Sequence, residues 1–98
     1  MTLLEIEQAS LASSLPVVKP IFSTTGSRLI AVGMKAGLIL KEHIALTKTK
    51  IMVIKGEVDF NTQNESRRLG TYDSYDIPVH LAHTVEAYDD ALFLLLTE

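Results

Sequence analysis

Three imidazoles are the side chains in this sequence best suited to chemistry. His43, His80 and His83 are its only histidines, and a histidine can ligate a metal, carry a proton or accept a hydrogen bond near neutral pH. There is no cysteine, so disulfides and thiolate metal sites are excluded. His43 ends a strand-like stretch, and His80 and His83 flank the step from a turn into the next one. Two strands that bring imidazoles together inside a barrel make a reasonable metal geometry. The ordinary alternative is a hydrogen-bonded core or rim histidine. Tyr72 and Tyr75 are candidates to line a ligand pocket with His43 and His83, although aromatic residues near turns are more often packing elements. Glu42, Asp73, Asp76 and Glu86 have no spacing that makes an acid–base pair. Arg67 and Arg68 follow a turn and belong to an exposed strand. The sequence contains no Gly-rich phosphate loop and no nucleophile elbow.

The elements that must position these residues are mostly strands. Residues 1–15 stand apart. Thr2 and Glu5 have capping-box spacing, with Leu3, Leu4, Ile6 and Leu11 at helical intervals, so a short helix is expected here, with an extended arm as the alternative. Pro16 and Pro20 would disrupt a helix, so residues 17–24 read as an edge strand or an arm that can cross to a partner. Strands are then expected over 27–35, 38–44, 49–55, 57–61, 66–69, 74–77, 82–88 and 91–97. In the fourth of these stretches Val58 and Phe60 alternate with Glu57, Asp59 and Asn61. Gln63 to Ser66 make a polar turn, and Asp89-Asp90 the last one. Eight or nine short strands at this spacing imply an all-β sandwich or barrel.

Residues 51–54 and 92–96 are apolar on both faces of a strand. One face can fill a barrel, and the other must be covered by the N-terminal segment or by a second copy of the chain. A homodimer is therefore expected, and the small size of the chain favours it. The length, 98 residues, fits one domain spanning 1–98, and 47% apolar content supports a core. The net charge of −3 comes with scattered Lys and Arg, so no nucleic-acid partner is expected. The N-terminus does not read as a signal peptide, no apolar run is long enough for a membrane span, and a cytoplasmic location is the default expectation.

On these residues the sequence resembles the cupins, of the RmlC-like superfamily. Their first motif opens and closes on glycine around two histidines and a glutamate. Gly37, His43 and Gly56 match it, while Ala45 replaces the second histidine and Thr49 the glutamate. In the second motif Pro78 and His83 match, Tyr72 and His80 replace its two glycines, and Ala87 replaces its asparagine. The resemblance runs over residues 28–97 in the expected order. It implies a cupin-type antiparallel β-barrel, or double-stranded jelly roll, with a barrel core over 28–97. It also implies a metal site reduced to His43 and His83, with His80 as a weaker third candidate. Any metal would be a loosely held divalent transition metal.

Strand parity sets two conditions on that site. If His43 points into the barrel, Lys41 should as well, unless Lys41 lies at the rim or a bulge falls between Leu40 and His43. His80 and His83, three apart, should face opposite ways along a strand unless the turn intervenes. Three functions are compatible with this pattern. The first is a barrel that binds a small polar or acidic molecule. The second is a metal-dependent dioxygenase, isomerase or decarboxylase of the cupin type. The third is a structural dimer with no ligand.

Overall fold

The computed structural model describes residues 2–98. The N-terminal segment is a helix, α1 (Leu3–Leu11), begun as its sequence predicts. The Thr2 hydroxyl accepts from the Glu5 amide at 3.2 Å, and the Glu5 carboxylate accepts from the Thr2 amide at 2.9 Å. The Thr2 amide, and after it the Thr2 side chain, lower the pKa of the Glu5 carboxyl from its ordinary value.

Nine strands follow: β1 (Val17–Ser23), β2 (Arg28–Met34), β3 (Ile39–Ile44), β4 (Thr49–Lys55), β5 (Val58–Asn61), β6 (Ser66–Leu69), β7 (Ser74–Ile77), β8 (Ala82–Ala87) and β9 (Ala91–Thr97). They form two antiparallel sheets, one ordered β1-β2-β9-β4-β7 and the other β3-β8-β5-β6. Apart from the β1–β2 and β5–β6 hairpins, each connection steps from one sheet to the other, which wraps the chain into a jelly roll. Of the edge strand and the arm expected over residues 17–24, the structure has the strand: β1 pairs with β2 of its own chain at the sheet edge.

Alternation decides what fills the space between the sheets. Phe60, Phe93, Met34, Ile51, Val53 and Val85 are buried together there, each from the inward set of its strand. Gly56 turns the chain from β4 into β5 at φ +81, and a side chain there would collide with the Asp90 backbone. Glycine is therefore the residue that closes this corner.

On the outer face of the five-stranded sheet α1 lies over β2 and β1. Ile6 is fully buried against Ala31 and Leu92, with Val17, Ile54 and Leu94 packed around them. The helix thus reaches only part of the apolar outer face of β4 and β9. Met52 and Leu96 stay 41% and 51% exposed, and Phe22 is 62% exposed. No helix among the described residues is long and apolar enough to cross a membrane.

The helix sits close because β2 offers a glycine beneath it. A Cβ on Gly33 would stand 2.7 Å from the Ser10 Cβ. Gly33→Ala should therefore push α1 off the sheet and destabilise the protein by about 1–3 kcal/mol. Urea denaturation of the variant beside the parent measures it.

Candidate functional site

The site lies at one end of the barrel, where β3 and β8 of one sheet face β2, β9 and β4 of the other. On β8, residues 83, 85 and 87 are buried and alternate with half-buried neighbours. His83 is the first of these and is 1% exposed. Phe60 stacks on its ring, with centroids 4.7 Å apart.

His43 reaches the same place through a break in β3. The register pairs Leu40 with Val85 and His43 with His83, so three steps on β3 match two on β8. This is a bulge between Leu40 and His43, and it resolves the parity conflict. Leu40 packs against the core, His43 turns toward His83, and Lys41 stays exposed.

The two rings meet at their Nε2 atoms, 3.0 Å apart. Each Nδ1 faces a carbonyl two residues back along the chain, His43 that of Lys41 in β3 at 2.8 Å and His83 that of Leu81, just before β8, at 3.0 Å. A carbonyl only accepts, so each Nδ1 is assigned the hydrogen. If both rings were neutral, two Nε2 lone pairs would then oppose each other. A hydrogen on one Nε2 removes that opposition and makes the contact a hydrogen bond. Burial lowers the pKa of His83 below its ordinary value, opposed by its bond to the Leu81 carbonyl and aided by the neighbouring His43.

Across the cleft from the pair stands the end row of the five-stranded sheet. Arg28, Thr97, Thr49 and Ile77 are register partners in that row. Arg28, Thr49, Thr97, His43 and His83 line one cleft of about 290 Å³, together with apolar residues that include Ile30 and Leu95. Among the described residues no carboxylate pairs with Arg28. The sequence reading missed Arg28. Its signal was the alternation Arg28, Ile30, Val32, Met34, which places it on the inward face of β2 at the open end.

The other sequence candidates are not brought to this cleft. His80 is exposed in the β7–β8 turn, where its amide bonds the Ala45 carbonyl at 2.9 Å. It adopts φ 66, the left-handed conformation suited to the glycine expected there. Tyr72 is 83% exposed in the β6–β7 turn, and its amide bonds the carbonyl of Val53. Val53 lies four residues along β4 from Thr49, about 13 Å at strand rise, so Tyr72 sits toward the opposite end of the barrel. Tyr75 is half-buried and packs on Phe60 with centroids 5.1 Å apart, which puts Phe60 between it and His83.

A metal can be tested against these donors. Two imidazole nitrogens bound to one ion at about 2.0–2.1 Å lie about 3 Å apart when they are cis, and the Nε2 separation matches that. A third ligand is missing. Ala45 and Thr49 stand where the resemblance places a histidine and a carboxylate, and the Thr49 hydroxyl donates to the Thr47 carbonyl at 3.1 Å. No group of three His, Cys, Asp or Glu residues that could hold an ion occurs among the described residues. The donor set does not fit a resident metal centre.

No protein-family model and no curated protein matches the chain. Solved structures do. A cupin superfamily protein of Desulfitobacterium hafniense is 14% identical, with 87% of this chain and 78% of that one covered at a TM-score of 0.80. An RmlC-like cupin of Desulfovibrio desulfuricans is 20% identical, covering 84% and 80% at 0.76. KdgF of a Halomonas species is 23% identical, covering 86% and 80% at 0.75. Two sheets in jelly-roll order and the likeness to these structures thus give the chain the cupin fold.

The lowered pKa of His83 links stability to pH. The unfolded chain binds that proton more readily than the folded one. The contribution is thus complete above about pH 6.5 and is lost as pH falls through the folded value. Stability should drop between pH 7 and 5, and His83→Gln should flatten that drop. Denaturant midpoints at several pH values check it.

Proposed function

We propose that this protein binds a small acidic molecule at the open end of the barrel, with Arg28 and His43 as its polar contacts and His83 holding His43 in place. The observation that carries this reading is that Arg28, without a carboxylate partner among the described residues, lines the same cleft as the histidine pair. A guanidinium in a partly apolar cleft favours an anion, and the His43 imidazole and Thr97 hydroxyl add further polar contacts. A transition metal would compete with protons for the imidazole lone pairs, so its uptake would be weak and would fall as pH falls.

The second reading is a metal-dependent cupin enzyme, favoured only by the Nε2 spacing. One series of measurements separates the two. Titration of the metal-free protein with acetate, followed by NMR, should perturb the His43 and His83 imidazole signals. Arg28→Gln should weaken binding by about tenfold, the scale of one lost charge-assisted bond. An unchanged affinity in that variant would remove the reading. Near-stoichiometric metal that resists dialysis, in protein purified without a His-tag, would replace it with the enzyme.

We also propose a homodimer. The support is the outer patch that α1 leaves open, where Phe22, Leu29 and Leu96 are register neighbours and Met52 lies one row along. Light scattering should give twice the chain mass, and Leu96→Lys should shift it toward one. A monomer at every concentration would exclude the dimer.

A further inference from the structure

The mouth cleft does not end at His43. A larger hollow of about 600 Å³ follows the seam between β1 and β3, the edge strands of the two sheets, which do not pair with each other. Leu15 and Val18 form one bank, Ile39 and Leu40 the other, and Ile30 and Leu95 lie on the floor. Ile30, His43 and Leu95 also line the mouth cleft, so the two hollows share a wall at His43. Lys41 and Glu42, of opposite sign, also line the seam. Arg28, which like Lys41 has no carboxylate partner among the described residues, stands at the mouth end.

We propose that the ligand is an amphipathic carboxylic acid whose carboxylate sits between Arg28 and His43 and whose apolar body lies along the seam. This rests on the acid-binding reading of the mouth and adds the chemical class. Charge at one end and an apolar lining at the other orient such a molecule in one direction. Leu15, Val18 and Ile39 are 70%, 47% and 51% exposed, so an apolar chain over them removes surface from water on both sides. A strand from another molecule is the less suitable occupant. Pro20 on β1 has no amide hydrogen to give, and both edges are interrupted by bulges, at Pro20/Phe22 and at Leu40/His43. Such edges resist strand addition.

The test is an NMR titration of the full chain with acetate, butanoate, hexanoate and octanoate, with octanamide as the uncharged comparison. Affinity should rise with length, up to about fourfold for each methylene fully buried, as transfer of about 0.8 kcal/mol per methylene requires. Octanamide should bind more weakly than octanoate. Val18→Asn and Ile39→Asn, both at exposed positions, should weaken octanoate and leave acetate unchanged, while Arg28→Gln should weaken both acids. If acetate binds through Arg28 but lengthening the chain gains nothing, the seam proposal fails and the acid-binding mouth stands. If no acid binds, the mouth reading fails and takes the seam with it. Equal affinity for octanamide and octanoate would overturn the proposal. So would a dimer that Val18→Asn dissociates without changing octanoate affinity, since the seam would then belong to a second copy.

Discussion

The strand β9 sets the terms for the whole molecule, because it is apolar on both faces and lies in the middle of its sheet. Leu95 and Phe93 point to one side and Leu92 and Leu94 to the other. A two-layer sandwich buries only one of those sides. The second sheet covers the inward one, and the helix at the start of the chain, lying over β1 and β2, reaches Leu92 and Leu94 of the outward one. A nine-residue helix has little stability of its own. Its capping box defines where it begins, while Ile6 against Ala31 and Leu92 gives it something to pack on. Gly33 makes that contact close enough to exclude water, and this ties an end-of-chain element to the centre of the sheet.

At the open end of the barrel the competing demand is polar. A buried imidazole must have partners for both nitrogens. His83 finds one in the Leu81 carbonyl just before its strand and one in His43, and the stacked Phe60 ring fills the space beside it. For His43 to arrive there, β3 has to slip by one residue after Leu40. An unbroken strand would seat Lys41 in the core or send His43 outward. The bulge thus does two things with one extra residue, keeping a leucine in the core and a histidine at the mouth.

Most of the strand order was legible because the alternation was clean and the turns carried Gly, Pro, Asn and Asp. Residues 49–55, 66–69, 74–77 and 91–97 match observed strands from end to end. The capping box was legible for the same local reason. The site was legible only in part. His43 and His83 could be named from the motif scaffold, but the slip that joins them depends on how β3 pairs with β8, and sequence parity left it as one of two alternatives. Tyr72 was misplaced because a turn hides which end of the barrel it serves. Arg28 was overlooked as a scattered charge, although a period of two from Val32 already assigns it to the inner face. The role of α1 as a lid on β9 was one of two covers the sequence allowed, and packing area rather than pattern decides how far it reaches.

Each imidazole is aimed by a backbone carbonyl two residues behind it in the chain, rather than by the other ring. Orientation is therefore a local property of two separate backbones, and neither ring depends on its neighbour to be pointed correctly. Ala45 and Thr49 line the same cleft. In evolutionary terms the barrel stands a short mutational distance from a metalloprotein. A lineage could gain or shed a metal by exchanging those two side chains while the aiming of the remaining two ligands went unchanged.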